Sequence, residues 1–420
     1  MVTDRQNFWL HVSEGAFCSF GMMVVGGQLV MPGLIRELGG SPHIIGVMGS
    51  VFGLSTFVQF LSVRFFERIK SKKWIVQIFG LGMRLPDLLI ALALMKWGPT
   101  PEMRRFALAA IVASKAVGSF SSALLVPAWM DMLGDTIPQR WHGHYFGYRG
   151  AITNVAGCVA GLLIYRWLAW VEFPANFFTM FLFAFGMTMT SWVIYLFVND
   201  TPEEAASRKE VRHEPVIEYV MTIPRLLGGD VAFRRFSVFS TLNFTAMSVM
   251  IFSGNAALER FGLDVKNVGY FMTVSFACQL ICCLTFPRIA QRIGHRANLV
   301  ISSLCMVACC AFAAFAPTPG LYYGSFVFWG LSMGISRVSF MSYLLEQAPP
   351  ETRMRYLSAL SVVRAPVRMM GPIAAGAAVV WLGDYVWIFA AAGGVHLLGA
   401  IAALRLPRRS APPADAGQAR

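Results

Sequence analysis

Residues 199–235 read NDTPEEAASRKEVRHEPVIEYVMTIPRLLGGDVAFRR and form the longest stretch of the chain in which charged residues are dense. Two mostly apolar regions of similar length, 8–198 and 236–404, lie on either side of it. A polar segment that divides an apolar chain near its midpoint predicts two membrane-embedded halves joined in water. The segment 199–235 thus indicates the plan of the whole chain.

The composition agrees with this plan. Hydrophobic residues make up 56% of the 420 residues, whereas charged residues make up 14%. A soluble chain usually carries about 25% charged residues. The apolar runs reach about 20 residues or more, the length that crosses the ~30 Å hydrocarbon core of a bilayer. Continuous runs predict helices and exclude the alternating strands of a membrane barrel, so we expect a polytopic α-helical membrane protein.

Twelve spans are predicted, six on each side of the polar segment. Their approximate residues are 8–34, 43–65, 74–97, 104–131, 145–168, 173–198, 235–258, 266–287, 297–316, 320–346, 356–381 and 384–404. The first ten residues lack a basic region typical of a signal peptide, so we expect the first span to be retained. The expected domains are an N-terminal six-helix bundle (1–198), a cytoplasmic linker with a short amphipathic helix (199–234), a C-terminal six-helix bundle (235–404) and a disordered basic tail (405–420).

Lysine and arginine are distributed unevenly between the two sides of the predicted membrane. Of 35 such residues, 22 flank the side that carries both chain ends and the linker, 7 flank the opposite side and 6 lie within spans. Because positively charged loops stay in the cytoplasm, we expect both termini inside and the protein in the plasma (cell inner) membrane. The net charge of +13 then serves insertion and contact with anionic lipid head groups, so no nucleic-acid partner is indicated.

The two halves resemble each other weakly. Pro138…Tyr145 in the first half is matched by Pro349…Tyr356 in the second, with the same spacing in both. Parallel six-span repeats are a common plan of membrane transporters. The sequence therefore predicts an all-α membrane protein of twelve transmembrane helices in two six-helix bundles, a 6+6 pseudo-repeat.

Basic motifs occupy equivalent loops of the two halves. The chain reads Glu67-Arg68-Ile69-Lys70-Ser71-Lys72-Lys73 between spans 2 and 3, and Gln291-Arg292-Ile293-Gly294-His295-Arg296 between spans 8 and 9. The loops after spans 4 and 10 begin Pro138-Gln139-Arg140-Trp141-His142-Gly143 and Pro349-Pro350-Glu351-Thr352-Arg353. Together with the six-plus-six plan, these loops resemble those of the major facilitator superfamily, although Glu67 and Gln291 stand where that family has Asp.

The resemblance implies a secondary transporter that alternates access by rocking two bundles around a midplane site. It also implies that the motif loops latch the bundles on the cytoplasmic side, unless their basic residues only fix topology. The loop residues concerned are Glu67, Arg68, Arg292, Gly294, Arg296, Pro138 and Gly143. Antiporters of the family carry a Gly-Pro element in span 5, which here reads Gly157-Cys158-Val159-Ala160-Gly161, so drug antiport is disfavoured.

Ionisable residues inside the predicted spans are the most informative side chains. Each costs roughly 2.5–3.5 kcal/mol at a helix centre on insertion scales, so it should face a partner or a water-filled cavity. The six cations and two acids are Arg84, Lys115, Arg149, Arg337, Arg364, Arg368, Glu14 and Asp87.

In the first half, Asp87 and Lys115 are expected at one depth, since each lies about ten residues from the outer end of its span. Arg84 and Asp87 share a helical face at i,i+3, which predicts an Arg84–Asp87–Lys115 network. Asp87 is then either a structural counter-ion or a proton-coupling carboxylate. Glu14 either pairs with His11 or acts as a gate or proton relay. The candidates for coupling or gating are Asp87, Arg84, Glu14 and Arg149.

In the second half, three arginines are expected roughly 12–18 Å deep, and no acidic residue of spans 7–12 shares that level. Arg364 and Arg368 are four residues apart on one face, where like charges repel, and more strongly at low dielectric. An anion should therefore visit them, unless they bond helix-end carbonyls or snorkel to the surface. The predicted substrate-binding residues are Arg337, Arg368, Arg364 and Lys115.

Other chemistry has weaker signals. All eight cysteines fall in apolar spans, where cysteine behaves as a small hydrophobe. Cys278/Cys282 and Cys305/Cys309 are i,i+4 pairs that could bind a soft metal, but we expect no metal site and no cofactor. Phosphate-binding loops, dinucleotide fingerprints and nucleophile elbows are missing from the sequence, so we do not expect an enzyme.

We therefore predict a monomeric secondary active transporter that moves a small solute, an organic anion in the first place, and couples this movement to protons. Its partners would be the small-molecule substrate and membrane lipids. The alternative from another class is a transporter-like assembly factor or membrane sensor that does not transport, which the altered loop motifs favour. A metal or drug transporter is a weaker alternative.

Overall fold

The computed structural model describes residues 2–26, 28–67, 72–95, 100–199, 216–347 and 353–407, and this part of the chain is helical without strands. The helices before the linker are α1 (Val2–Val24), α2 (Val30–Glu37), α3 (Pro42–Glu67), α4 (Lys72–Met95), α5 (Pro101–Thr136), α6 (His142–Trp170) and α7 (Ala175–Leu196). Those that follow are α8 (Val216–Gly229), α9 (Val231–Met247), α10 (Ser253–Phe261), α11 (Asn267–Ile293), α12 (His295–Phe315), α13 (Pro319–Gln347), α14 (Arg353–Leu382) and α15 (Val386–Leu404).

Within these ranges, nine helical segments are long and apolar enough to cross a membrane. They are Lys72–Met95, Pro101–Thr136, His142–Trp170, Ala175–Leu196, Val231–Phe261, Asn267–Ile293, His295–Phe315, Ala359–Leu382 and Val386–Leu404. The helices α1, α3 and α13, of 23, 26 and 29 residues, are also long enough to span a bilayer. The predicted all-α membrane fold is confirmed, and the helix lengths are consistent with twelve spans.

Two spans expected to be continuous are interrupted. The first span breaks between Val24 and Val30, where the sequence Gly26-Gly27 favours an end to the helix, because glycine costs helix stability. The seventh span changes to a 3₁₀ turn over Ser248–Phe252 before it continues as α10. Both interruptions lie toward the same end of the molecule, beside the connection from α2 to α3.

The seventh span begins four residues earlier than expected, at Val231 rather than 235. Asp230 caps the helix, since its Oδ1 accepts a hydrogen bond of 2.9 Å from the backbone N–H of Phe233. Its Oδ2 accepts a second bond, of 2.6 Å, from the hydroxyl of Tyr356 on α14. The preceding helix α8 packs on this base of the second half through the buried Ile223.

The helices of each half pack mainly on one another. In the first half α1 lies against α6 and α7, and α4 lies against α5 and α7. In the second half α12 lies against α13 and α15, and α9 lies against α15. The two halves meet mainly through two helix pairs, α3 with α14 and α6 with α11. The face of α9 that carries the exposed Val238 lies on the outer side of the second half together with α15.

We call the end that carries the residue 199–216 connection the linker face, and the opposite end the far face. A Cβ added at Gly161 of α6 would come within 2.6 Å of the carbonyl oxygen of Gly269 on α11, so only glycine permits this approach. One turn further toward the far face, the rings of Tyr165 and Tyr270 are in contact, with centroids 4.0 Å apart and an angle of 31° between their planes. These contacts between the halves lie between mid-helix and the far face.

The largest hydrophobic core joins the two halves in the same region. Buried Met31 and Leu34 of α2 belong to one cluster with Phe252 and Val268 of the second half. The side-chain amide of Asn255 adds a hydrogen bond of 3.2 Å to the carbonyl of Pro32 across the same boundary. The halves are therefore packed tightly at the far face.

Candidate functional site

A buried charge cluster joins four helices of the first half. The Glu14 carboxylate on α1 lies 3.8 Å from Nη2 of Arg84 on α4 and 3.3 Å from Nη1 of Arg149 on α6. The Ser191 hydroxyl on α7 donates a bond of 3.0 Å to Glu14 Oε1. Glu14 is only 3% exposed and Arg84 only 2% exposed. One carboxylate therefore compensates two guanidinium groups inside the bundle.

The predicted Arg84–Asp87–Lys115 network is wrong in its Arg84 branch. Arg84 donates to the carbonyls of Thr188 at 2.6 Å and of Gly80 at 2.8 Å. Side chains on a helix lean toward its N-terminus, so Arg84 extends toward Gly80 and away from Asp87, which lies three residues later. A shared helical face was therefore not sufficient to make the pair.

The expected Glu14–His11 pair is also wrong. His11 instead shares a hydrogen bond of 2.8 Å with the hydroxyl of Thr136 at the end of α5. Because Arg84 and Arg149 already supply two positive charges to Glu14, that carboxylate does not need the imidazole. The first half thus separates its histidine from its acidic centre.

Arg149 is the accessible member of the cluster, with 26% of its side chain exposed. Its guanidinium lies 4.8 Å from the ring of Trp129, and it donates a bond of 2.9 Å to the Tyr145 hydroxyl. A cation over a tryptophan face gains a further electrostatic attraction. Arg149 therefore connects the buried carboxylate with the inner surface of the bundle.

A second ion pair in the first half stands apart from this cluster. Lys115 Nζ on α5 donates a bond of 3.0 Å to Asp87 Oδ1 on α4, as the depth of the two residues predicted. The Lys115 side chain is 24% exposed and lies 5.5 Å from the ring centroid of Phe181. Asp87 has one cationic partner here, whereas Glu14 has two.

The arginines of the second half have aromatic neighbours. The Arg364 guanidinium on α14 lies 4.6 Å from the ring centroid of Phe244 on α9 and 4.7 Å from that of Phe340 on α13. Arg364 is 9% exposed, and its Nε has no hydrogen-bond partner in the described part of the chain. A buried guanidinium with a free donor is an unsatisfied polar group.

Arg368 lies one helical turn further along α14. Its guanidinium is 5.4 Å from the ring centroid of Phe244, the ring that Arg364 also faces. It lies 5.7 Å from the ring of Phe52 on α3, which belongs to the other half. The α14 backbone can come this close because Gly53 has no Cβ to overlap the Arg368 carbonyl. Arg368 is thus placed where the two halves meet.

Arg337 does not join this group directly. It lies on α13, three residues before Phe340 and therefore on the same helical face, and its side chain is exposed. Across the described residues, no acidic side chain forms an ion pair with Arg337, Arg364 or Arg368. The structure therefore brings Arg364 and Arg368 together, and it leaves Lys115 with Asp87 in the first half.

The basic motif loops contact the helix ends of their own halves. Lys73 Nζ donates to the carbonyls of Leu196 and Val198 at the end of α7, both at 2.8 Å. Arg296 donates to the carbonyl of Leu404 at the end of α15 in the same way. Cations favour the C-terminal ends of helices. The contact of Arg296 is thus internal to the second half, and the latch role that the resemblance implied for these loops stays a prediction.

The remaining motif residues lie at helix ends or in the turns between helices. Gly294 adopts a φ of 83° between α11 and α12, a left-handed conformation that favours glycine, and Arg292 beside it is exposed. Pro138 accepts a backbone bond of 2.8 Å from Trp141, and the exposed Gly143 follows in the first turn of α6. Glu67 ends α3, and both its side chain and the whole of Arg68 lie outside the described residues.

A resident metal has no evident place in the described ranges, where no group of three or more His, Cys, Asp or Glu residues could hold one. Sequence reasoning missed the aromatic rings beside the arginines, namely Phe244, Phe340, Phe52 and Trp129. These rings come from helices other than those of their arginine partners. Their spacing along the chain therefore carries no signal of the contact.

The fold closely resembles those of solved membrane transporters. The nucleoside transporter NupG aligns with a TM-score of 0.68 at 14% identity, over 97% of this chain and 99% of that chain. A D-xylose-proton symporter gives a TM-score of 0.71 at 12% identity, over 96% and 98% of the two chains. The human organic anion transporter MFSD10 gives 0.57 at 14% identity, over 95% and 99%. At such identities the likeness concerns the fold.

A comparison with curated protein sequences gives no match. The family comparison, by contrast, matches residues 15–372, which include most of both halves, the Lys115–Asp87 pair and the two arginines of α14. This protein is therefore a multi-pass membrane protein that belongs to the Major Facilitator Superfamily.

Proposed function

We propose that this protein is a secondary active transporter that moves a small organic anion across the plasma membrane by alternating access. The observation that carries the proposal is the pair Arg364 and Arg368, which face one phenylalanine ring and have no acidic partner among the described residues. Arg337 and Lys115 are the supporting cations. The protein acts as a monomer with both termini in the cytoplasm.

Electrostatics favours an anion at this place. Two guanidinium groups four residues apart on one helix repel each other, and partial burial increases the cost. Their contacts with Phe244 recover only about 0.5–2 kcal/mol each. A carboxylate or phosphate group would satisfy the free Nε–H of Arg364 and neutralise the pair with charge-assisted hydrogen bonds. An aromatic or aliphatic body on the anion would find Phe52 and Phe340 beside it.

The packing between the halves supports alternating access. Their tight contacts lie from mid-helix to the far face, as at Gly161–Gly269 and Tyr165–Tyr270. We propose that this packing closes the far face and that the site opens toward the linker face. Separation of these contacts, with closure at the linker face, would turn Arg368 toward the far face. The predicted linker 199–234 would let the halves rock while keeping them joined.

We assign proton coupling to Asp87 rather than to Glu14. Glu14 forms ion pairs with Arg84 and Arg149 and accepts a hydrogen bond from Ser191, so its protonation would leave the fully buried Arg84 without a counter-ion. Asp87 has one partner, Lys115, which is 24% exposed and can be solvated when the pair opens. Protonation of Asp87 would then free Lys115 to attract the substrate anion.

Two structural neighbours make this function compatible with the fold. One is by name a proton symporter and another is by name an organic anion transporter. Their identity to this chain is low, so the support they give concerns the architecture. The choice of an anion rests on Arg364 and Arg368.

The direct experiment is uptake into proteoliposomes under an imposed pH gradient, with a panel of small carboxylates, phosphate esters, sugars, nucleosides and organic cations. We expect saturable uptake of at least one anion, a loss of about 100-fold in Arg368→Ala, and partial retention in Arg368→Lys. The matched control is Arg166→Ala, since Arg166 also faces an aromatic ring, Trp170 at 5.5 Å, but lies exposed near the far face. Saturable uptake of sugars or cations alone, or of no compound, would overturn the proposal.

A further inference from the structure

A groove of about 690 Å³ lies on the outer side of the second half, between α9 and α15. Its lining residues are Arg234, Arg235, Val238, Leu242, Leu398, Ile401, Ala402 and Arg405. The three arginines stand together at the linker face, and the apolar residues continue from them along the two helices. The groove therefore has an almost entirely apolar surface with three arginines at one end.

This groove does not belong to the site between the halves. Phe244 faces Arg364 and Arg368 from one side of α9, whereas the groove is lined by Val238 and Leu242 on another face of α9, where this helix packs against α15. Val238 is 51% exposed and Leu398 is 55% exposed, both on this outer surface. In a membrane, this wall of the protein faces lipid chains.

The arginines of the groove retain hydrogen-bonding capacity. Arg234 reaches the carbonyls of Leu227 and Gly228 only at 3.4 Å, and Arg235 donates one bond of 3.0 Å to the carbonyl of Arg405. Each guanidinium has five N–H donors, so most of the donors of Arg234 and Arg235 have no partner in the described part of the chain. The groove lining contains no acidic residue in the part of the chain that the structure describes.

We infer that the groove is a binding site for one anionic phospholipid, with its phosphate on Arg234, Arg235 and Arg405 and an acyl chain along Val238, Leu242, Leu398 and Ile401. Guanidinium groups bind phosphate oxygens in a bidentate manner, which gives selectivity over a zwitterionic head group with its own cation. The apolar lining favours a lipid over a free phosphate, because only a lipid has an acyl chain that buries apolar surface against these side chains. The lipid links the start of α9 to the end of α15.

The charge of the arginines sets the expected preference for anionic over zwitterionic lipid. Each basic residue near a membrane surface favours anionic lipid by about fivefold. Three arginines acting together should therefore retain phosphatidylglycerol when a large excess of phosphatidylcholine is present. A lone surface arginine would not achieve this retention.

The test is native mass spectrometry of the full chain in detergent, mixed with phosphatidylglycerol, phosphatidylcholine or glycerol 3-phosphate. We expect one phosphatidylglycerol to remain bound, phosphatidylcholine to bind at least tenfold more weakly, and glycerol 3-phosphate not to bind. The variant Arg234→Gln/Arg235→Gln/Arg405→Gln should lose the retained lipid. The control Arg225→Gln/Arg288→Gln/Arg292→Gln removes the same charge from exposed positions that do not line the groove and should keep it.

Three results would overturn the inference. They are equal retention of the two lipids, equal loss of lipid in the groove variant and its control, and displacement of lipid by glycerol 3-phosphate alone. Should the triple variant fail to fold, Arg234→Gln is the substitute, because Arg234 makes only long contacts. It should lower phosphatidylglycerol retention by about fivefold, and unchanged retention would contradict the site.

Discussion

The two halves of this protein differ in how their buried charged side chains are neutralised. In the first half, Glu14 lies between Arg84 and Arg149, and Asp87 pairs with Lys115. In the second half, Arg364 and Arg368 contact aromatic rings and no acidic side chain among the described residues. The same fold therefore contains one half with internal counter-ions and one half that needs a counter-ion from outside.

This difference indicates which charged residues stabilise the fold and which ones bind substrate. A paired, buried cation keeps its helices in place, and its removal leaves the partner without compensation. An unpaired, partly buried cation is costly to keep, so its retention requires a benefit elsewhere, such as binding. Removal of a charged side chain should therefore lower the free energy of unfolding in the first half. In the second half, removal of an unpaired arginine should instead lower transport without loss of stability.

The largest loss of stability should follow from removal of the shared carboxylate. Glu14→Ala leaves Arg84 and Arg149 without their counter-ion, so we expect the free energy of unfolding to fall by about 3–5 kcal/mol. Thermal unfolding of the purified protein in detergent measures this effect. The double variant Glu14→Ala/Arg84→Leu should recover part of the loss, and a Glu14→Ala midpoint equal to wild type would show that the cluster is not structural.

In the second half, removal of a buried charge should raise the free energy of unfolding instead of lowering it. Arg364→Met removes a buried, unpaired cation and replaces it with a flexible apolar side chain, so the free energy of unfolding should rise by about 1 kcal/mol even though its contacts with Phe244 and Phe340 are lost. Anion uptake should fall at least tenfold in the same variant. A protein that is destabilised as strongly as Glu14→Ala would show that Arg364 has a structural counter-ion.

The Asp87–Lys115 pair should give an intermediate result. The exposed part of Lys115 weakens the pair, so Asp87→Asn should cost about 1 kcal/mol of stability or less. Proton-driven accumulation should be lost while counterflow exchange of the anion continues, because exchange does not require net proton movement. Accumulation that still responds to the pH gradient in Asp87→Asn would remove Asp87 from the coupling step.

The smallest effect concerns a neutral hydrogen bond in the second half. The hydroxyls of Ser302 on α12 and Ser332 on α13 lie 3.0 Å apart, and each side chain also donates to the other's carbonyl. Hydrogen bonds between membrane helices are worth about 0.6 kcal/mol on average, so Ser302→Ala should shift the unfolding free energy by about that amount. Anion uptake should not change, and a loss similar to that of Glu14→Ala would mean that neutral contacts rather than charges hold the bundles.

The sequence predicts the fold well because hydrophobic run length is a local property. The Gly26-Gly27 break and the cap at Asp230 were also visible in local residue types, although the span boundaries did not use them. The lysine and acid of the Lys115–Asp87 pair could be matched by depth alone. Depth was therefore sufficient to predict this one pair, whose two residues lie at the same level on neighbouring helices.

Partners that depend on how helices rotate against one another could not be predicted. Arg84 turns toward α7 rather than Asp87, and Phe52 reaches Arg368 from the other half. Similarly, Lys73 and Arg296 bind the last helix of their own halves, a contact set by tertiary packing. These contacts depend on side-chain direction and on which helices are adjacent, and neither follows from the spacing of residues in the chain.

We infer that an external anion neutralises the charges of Arg364 and Arg368. The most direct measurement compares uptake of the transported acid with uptake of its neutral amide analogue, in wild type and in Arg368→Ala, with equal amounts of folded protein in each proteoliposome. We expect wild type to take up the acid in strong preference to the amide, and we expect Arg368→Ala to lose this difference in uptake. Uptake of the two compounds at equal rates by wild type, or an unchanged preference in Arg368→Ala, would contradict the inference.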